Sequence, residues 1–299
     1  MKRIFYIIIL VFLTTTLASC QENTKVDIVA TMFPQYDIAK NIVGDKMTVS
    51  LLTAPGVEAH DYQPTSKQMI TIKSSKLFLF TSYEMDTWLN DNLTAIIGDS
   101  VPFLNMSKNF DLNLLDDKND LHYWTSTNVF IDLIDSVLHK LISIDPTNSD
   151  YYQEKANAYI NKISNLRDEM VEYFISKEKP TLFFAGHNAL GAFANDFNLT
   201  IKALSNTSKP DAVLNTNQII DLLNEIKKAQ THFLFTEELK EPKIAKTIQT
   251  ELANSNYSLM ILELHGYHNL TKIDFDNEVT YYDILARNFA NIKTSLGDN

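Results

Sequence analysis

The sequence predicts an α/β protein in which two doubly wound lobes are joined by one long, rigid linking helix. Short apolar segments alternate with amphipathic segments along most of the chain, a pattern typical of parallel sheets covered by helices. One long amphipathic segment, without Pro or Gly, interrupts this alternation and divides it into two series. We therefore expect an N-terminal lobe over 26–147, a linking helix over 148–179 and a C-terminal lobe over 180–299.

In the N-terminal lobe, apolar and β-rich segments predict three strands, at 26–32, 47–52 and 76–81. Helical spacing of apolar residues predicts four helices, over 36–43, 65–73, 84–97 and 127–143. Between the last two helices, residues 110–120 are acidic and polar and are expected to form a loop.

The linking helix has the strongest periodic pattern in the chain. Its apolar residues recur at alternating intervals of four and three: Tyr152, Ala156, Tyr159, Ile163, Leu166, Met170 and Phe174. Such spacing places all of them on one face of a helix. At 1.5 Å per residue, the segment 149–177 would extend for roughly 40 Å.

After Pro180, a second alternating series predicts the C-terminal lobe. Its strands are expected at 181–185, 199–204, 232–236 and 258–264. Its helices are expected over 189–196, 216–229, 245–254 and 279–296.

The N-terminus has the pattern of a lipoprotein signal peptide. Two basic residues precede an apolar run at 4–13, and Leu-Ala-Ser comes directly before Cys20. The run is about half of the ~20 residues that a spanning helix needs. We expect a signal peptide over 1–19, lipidation of Cys20, and a polar tether within 20–25. The alternative is an ordinary secretory signal that ends near a cysteine.

Composition narrows the class of protein. The formal net charge of −11 disfavours nucleic acid and anionic membrane surfaces as partners. Because Cys20 is the only cysteine, the chain can form no internal disulfide and no cysteine-based zinc site. The ligands of any bound metal would therefore be nitrogen and oxygen atoms.

Three histidines stand in short motifs directly beyond predicted strands or in loops. His60 lies in Gly-Val-Glu-Ala-His-Asp-Tyr-Gln-Pro, His122 in Asp-Leu-His-Tyr-Trp, and His187 in Ala-Gly-His-Asn-Ala. They are about 60 residues apart, so only the tertiary fold could unite them. Several imidazoles at one point indicate metal coordination. Taken singly, each could instead be a surface or structural histidine.

The other four histidines are weaker candidates for metal ligands. His139 falls on a polar helix face, and His232 opens a strand. His265 and His268 flank Gly266 in the loop that follows the strand bearing Glu263. This pair could lie near a metal site, although a plain loop position explains it equally well.

These motifs resemble those of the substrate-binding lipoproteins of bacterial zinc and manganese ABC importers, the cluster A-I metal-binding family. The similarity extends over nearly all of the chain after the signal peptide. The matching segments are residues 29–34, 42–45, 55–64, 120–124, 187–193, 235–238, 243–254, 262–266 and 281–296. Leu-Glu-Leu-His-Gly at 262–266 stands where the family usually has Leu-Asp-Pro-Leu-Gly.

The resemblance implies a metal site in the cleft between the lobes. Its ligands would be His60 and His122 from the N-terminal lobe, and His187 and Glu263 from the C-terminal lobe. Since Glu263 replaces an aspartate of the family, Glu58 or His265 could take the fourth position or lie behind the ligands.

The resemblance also implies the function. Manganese-type members tend to have a carboxylate at the third ligand position, so His187 favours zinc. We expect a monomeric, non-enzymatic receptor, lipid-anchored outside the cytoplasmic membrane, that passes Zn(II) to an ABC permease and its ATPase. The alternatives are a receptor for manganese or another divalent metal, a zinc hydrolase with an open fourth position, and an adhesion lipoprotein.

Overall fold

A computed structural model describes residues 25–60, 62–89, 93–205, 216–239 and 241–297. The predicted signal peptide, Cys20 and most of the tether lie outside these ranges. Within them, no helix combines the length and the apolar character needed to cross a lipid bilayer.

The described residues form two four-stranded parallel sheets, which confirms the predicted pair of α/β lobes. The first sheet has the order β2-β1-β3-β4 and consists of β1 (Ile28–Ala30), β2 (Val49–Leu51), β3 (Leu77–Phe80) and β4 (Phe103–Asn105). The second has the order β6-β5-β7-β8 and consists of β5 (Thr181–His187), β6 (Thr200–Ser205), β7 (Phe233–Thr236) and β8 (Met260–Glu263).

Ten α-helices lie among the described residues. They are α1 (Phe33–Val43), α2 (Ser66–Ser74), α3 (Leu93–Ile97), α4 (Thr127–Ile144), α5 (Ser149–Ile175), α6 (Gly191–Asp196), α7 (Thr216–Ala229), α8 (Lys243–Ala253), α9 (Lys272–Asp276) and α10 (Tyr281–Ser295).

The helix predicted over 84–97 is wrong over residues 84–89, which form turns and bends; α3 begins at Leu93. The carboxylate of Asp86 accepts hydrogen bonds from the backbone N–H groups of Thr81 (2.7 Å) and Ser82 (3.3 Å). A side chain that binds the backbone locally in this way competes with the helix. Strand β4 and helix α9 were not predicted. β4 is a three-residue edge strand that is only partly buried, so it lacks the apolar run of a central strand.

Helix α5 confirms the predicted linking helix. Its buried residues are the seven that the periodicity selects: Tyr152, Ala156, Tyr159, Ile163, Leu166, Met170 and Phe174. It packs against α1 and α4 of the first lobe and α10 of the second. Because one apolar core cluster contains residues of both lobes and of this helix, α5 is held on both sides. The exact limits of the lobes, 26–147 and 180–299, stay predictions.

One buried carboxylate stands at this junction. Asp37 on α1 accepts a hydrogen bond of 2.5 Å from the hydroxyl of Tyr159 on α5 and one of 3.1 Å from Asn41. Burial raises the pKa of Asp37 to about 7, although these hydrogen bonds act to lower it. Compared with the unfolded chain, the folded protein therefore favours the protonated form of the Asp37 carboxyl.

We expect Asp37 to make folding more favourable below pH 7. Its pKa is higher in the folded than in the unfolded chain, so its charged form costs stability above the folded pKa. This cost disappears as the pH falls toward the unfolded pKa, and it amounts to at most about 4 kcal/mol. Urea unfolding of the wild type and of Asp37→Asn at about pH 5 and about pH 8 measures the difference. Equal pH slopes in the two proteins would contradict the prediction.

Candidate metal centre

Four histidines from distant parts of the chain converge in the cleft between the lobes. They are His60, His122, His187 and His268, and one ring nitrogen of each lies within 4.8 Å of those of the other three. The six distances between their ring centroids all fall between 5.1 and 5.5 Å. Four points with nearly equal separations can only form a tetrahedron.

The size of this tetrahedron matches a four-coordinate metal. A Zn–N bond of about 2.0–2.1 Å places two ligand nitrogens about 3.3 Å apart and their ring centroids about 5.2 Å apart. Nε2 of His60 lies 3.2 Å from Nε2 of His122. The rings therefore already have the spacing that a tetrahedral ion requires.

Each histidine follows the carboxyl end of a parallel strand. His60 and His122 come after β2 and β4 of the first sheet, His187 is the last residue of β5, and His268 follows β8. Open α/β sheets bind ligands outside the carboxyl ends of their strands. The site is built from two such edges, with two imidazoles from each lobe.

Hydrogen bonds to the scaffold hold the two N-terminal loops. The hydroxyl of Tyr62 donates to the carbonyl of Leu52 at 2.8 Å, which ties the His60 loop to the end of β2. The hydroxyl of Tyr123 donates to the carbonyl of Thr81 at 2.8 Å, which ties the His122 loop to the end of β3. Both ligand loops are thus anchored to the first sheet.

A carboxylate lies behind three of the four rings. The distances from the carboxylate oxygen to Nδ1 are 2.7 Å for Glu58 and His60, 2.6 Å for Glu237 and His187, and 2.9 Å for Glu238 and His268. Because an ionised carboxylate only accepts, Nδ1 carries the hydrogen and Nε2 keeps its lone pair. The partner also fixes the orientation of each ring, as behind metal-bound histidines generally.

Two of the four inward ring nitrogens make no hydrogen bond within the described part of the protein. Nε2 of His187 and Nε2 of His268 are buried and have no hydrogen-bond partner among the described residues. A buried polar atom without a partner is costly and needs an explanation. A metal ion bound by these lone pairs would supply it.

The electrostatics favour the neutral imidazole at His122 and His268 and the ionised carboxylate at Glu58. Burial lowers the pKa of His122 well below its ordinary value, and the neighbouring histidines lower it further. Burial also lowers the pKa of His268. Burial alone would raise the pKa of Glu58, but its hydrogen bond to His60 and the nearby histidine charges lower it to about 2. Neutral imidazoles backed by negative charge suit a cation.

The sequence between residues 28 and 295 matches the family described as zinc-uptake complex component A, periplasmic. The chain belongs to this family. The match covers both lobes and the linking helix, and it confirms the resemblance that the motifs indicated.

Individual relatives agree with the family. The chain is 27% identical over 290 residues to the high-affinity zinc uptake system protein ZnuA of Bacillus subtilis, covering 92% of this chain and 89% of that protein. It is 26% identical to the zinc-binding lipoprotein AdcA of Streptococcus pneumoniae, over 91% of this chain but only 56% of the relative. This chain therefore spans about half the length of the streptococcal relative.

The fold also matches solved structures of the family. The crystal structure of the Zn(II)-bound ZnuA-like domain of Streptococcus pneumoniae AdcA has a TM-score of 0.76 and 26% identity, and the match covers 91% of this chain and 98% of that chain. The part of the relative that this chain matches is thus a domain that folds in the same way.

Within this family fold, the structure brings His60, His122 and His187 together and leaves Glu263 outside the group, so the set of residues that binds the metal stays a prediction. Glu263 ends β8 and lies outside the group. Its side chain is 36% exposed, and its Oε1 lies 3.7 Å from Nη1 of Arg287. The following loop turns at Tyr267, where φ is 61°, and the next residue enters the cleft. His268 therefore takes the fourth place.

The two alternatives for the fourth position lie elsewhere. Glu58 stands behind His60, as the prediction allowed. His265 is buried but outside the group, with its Nδ1 accepting from the backbone N–H of Tyr267 at 2.8 Å. Its own backbone N–H donates to Asn288 at 2.8 Å. We conclude that His265 stabilises the loop that presents His268.

Sequence reasoning gave Glu237 and Glu238 no role at the site, and it allowed His268 only a position near it. The two glutamates directly follow β7, at the same edge of the sheet as the end of β5 that carries His187. That position was the only available clue, because no periodicity shows which loop side chains turn inward.

Proposed function

We propose that this protein is an extracytoplasmic receptor that binds Zn(II) in the four-histidine cluster and delivers it to an ABC importer. The observation that carries the proposal is the set of four imidazoles, two per lobe, at tetrahedral spacing. The names of the relatives support zinc as the cargo, since both the Bacillus and the streptococcal protein are named for it.

The donor set favours zinc over manganese. Imidazole nitrogen suits Zn(II), whereas Mn(II) prefers carboxylate and water oxygens. With His268 in place of Glu263, all four donors are nitrogen and the set carries no charge. The three carboxylates behind the rings offset the double positive charge of the ion. Cu(II) binds nitrogen sites more tightly still, so selection against copper depends on geometry and on which metals are available.

The same donor set argues against a hydrolase. Catalytic zinc sites keep one coordination position for water, which the metal activates. Four imidazoles occupy every position of a tetrahedral ion. We infer that the protein binds its metal without catalysing a reaction. Adhesion stays a hypothesis that the geometry of the cleft does not address.

The cellular arrangement is also part of the proposal. Leu-Ala-Ser before Cys20 supports a lipid anchor on the outer side of the cytoplasmic membrane, and the family description places its members in the periplasm. The partners would be the permease and ATPase of an importer, with the receptor acting as a monomer.

A metal titration tests the function. Calorimetry of the purified protein without its signal peptide should show one Zn(II) per chain, and excess Mn(II) should not displace it. Absence of tight binding would refute the receptor, displacement by Mn(II) would refute the choice of zinc, and hydrolysis of test esters by the zinc-loaded protein would favour the enzyme.

We expect His187→Ala to lower the zinc affinity by more than about 100-fold, which exceeds the loss typical for residues behind the ligands. The variant removes one of four nitrogen donors while the strand that carries it keeps its backbone pairing. His139→Ala is the matched control, since the side chain of His139 is 73% exposed on α4. Competition with a chromogenic chelator measures both affinities. Wild-type affinity in His187→Ala would remove this residue from the site.

A further inference from the structure

A loop of the C-terminal lobe is hydrogen-bonded to a turn of the N-terminal lobe beside the four-histidine cluster. The side-chain nitrogen of Asn269 donates to the carbonyls of Ala54 at 2.7 Å and Val57 at 2.9 Å. In the same contact, the backbone N–H of Gly56 donates to the carbonyl of Leu270 at 2.7 Å. We call these three hydrogen bonds the Asn269 clasp.

Both the nitrogen and the oxygen of the Asn269 side-chain amide have hydrogen-bond partners. The residue is completely buried, and its side-chain oxygen accepts from the backbone N–H of Leu270 at 2.9 Å. Turning the amide over would place its oxygen against two carbonyl oxygens and leave the N–H of Leu270 unpaired. Since unsatisfied buried polar groups are costly, only one orientation is favourable.

The clasp lies next to one ligand from each lobe. Asn269 directly follows His268, and Val57 precedes His60 by three residues. The rings of His60 and His268 are 5.1 Å apart. Separating the two loops at this point would break three hydrogen bonds and move these two imidazoles apart at once.

The other side of the cleft has its own contacts between lobes. The indole N–H of Trp124 donates to the carbonyl of Gly266 at 3.1 Å, and the backbone N–H of Ala192 donates to the carboxylate of Asp120 at 3.2 Å. The first contact joins the loop of His122 to the loop of His268, and the second joins the loop of His122 to the start of α6. The clasp couples the loop of His60 to the loop of His268.

We propose that Asn269 is a positioning residue that holds His60 and His268 at the spacing the metal requires, and that opening of the clasp controls the rate of metal release. The inference rests on the proposed zinc-binding function. A metal bound by both lobes cannot leave while all four rings keep their places. The clasp sets how readily one pair of rings, one from each lobe, can separate.

The first test is the zinc dissociation rate of Asn269→Ala and Asn269→Asp, measured by stopped flow against an excess of chelator. Asp has nearly the shape of Asn but presents oxygen to the two carbonyls. We expect both variants to release zinc at least about tenfold faster, in the range typical for residues that orient metal ligands. Asn277→Ala is the control, because Asn277 is exposed just after α9. Folded variants with the wild-type dissociation rate would overturn the proposal.

A second measurement needs no substitution. The Gly56 amide hydrogen bonds across the lobes, so its hydrogen exchange in the wild type reports opening of the clasp. We expect exchange to slow by at least about tenfold when zinc is added, because closed and metal-bound states are linked. Equal exchange with and without zinc would refute the coupling. If the wild type binds no zinc, the proposed function itself is refuted. If the wild type binds zinc tightly but the dissociation rates and the Gly56 exchange do not change as expected, only the proposal on the clasp is refuted.

Discussion

Replacement of His268 by alanine is expected to lower the zinc affinity by more than about 100-fold, whereas Glu263→Ala should leave it nearly unchanged. The ring of His268 lies 5.1–5.4 Å from the other three rings of the cluster, and its Nε2 has no partner among the described residues. Glu263 is partly exposed, and its carboxylate lies near Arg287 instead. The His268→Ala variant loses a nitrogen donor to the metal, whereas the Glu263→Ala variant loses only a weak surface ion pair.

The His268→Ala and Glu263→Ala variants distinguish two assignments of the fourth metal ligand. Family resemblance alone predicts Glu263 as the fourth ligand, whereas the geometry of the cleft favours His268. Both affinities can be measured by chelator competition, with His139→Ala as the control because the side chain of His139 is 73% exposed on α4. A large loss in Glu263→Ala together with wild-type affinity in His268→Ala would overturn the four-histidine site.

Removal of the carboxylate behind His268 is the second large effect that we expect. The side chain of Glu238 is buried and accepts three hydrogen bonds: from Gly266 N at 2.8 Å, from His268 N at 3.3 Å and from His268 Nδ1 at 2.9 Å. Glu238→Ala leaves these donors unpaired and frees the ring. We predict a loss of zinc affinity of about 10–100-fold and a loss of stability in the metal-free protein of about 1–3 kcal/mol.

Chelator competition and urea unfolding of the metal-free protein measure the two effects. Glu241→Ala is the matched control, since Glu241 is exposed three residues away and pairs only with Lys246 at 3.2 Å among the contacts described. Glu238→Gln should fall between wild type and alanine, because its single acceptor oxygen can keep part of the network. Unchanged affinity in Glu238→Ala would mean that the carboxylate does not orient His268.

The close approach of the His268 ring to Gly266 also limits which residue can stand at position 266. A methyl group on Gly266 would lie 2.8 Å from Cε1 and 2.9 Å from Nδ1 of His268. No real Cβ contact is that short, so a larger residue would displace the ring. The loop that follows β8 is therefore built around the position of His268, which agrees with its place in the cluster.

Local patterns in the sequence determined the parts of this protein that depend on neighbours along the chain. The spacing of seven apolar residues predicted α5 and its buried face, and the alternation of segments predicted two parallel α/β lobes. His60, His122 and His187 could be selected because each stands in a recognisable motif near a strand end. Helical and strand periodicity are properties of short segments, so one sequence suffices to read them.

Only the tertiary structure decided which loop residues meet. His268, Glu238 and Asn269 lie in loops without periodicity, and their partners are far away in the chain: Asn269 contacts Ala54, and Trp124 contacts Gly266. The path of such a loop depends on one backbone turn at Tyr267 and on packing against the other lobe. The sequence alone therefore predicted that several histidines form a metal site, and the packing of the lobes decided that the fourth histidine of the group is His268.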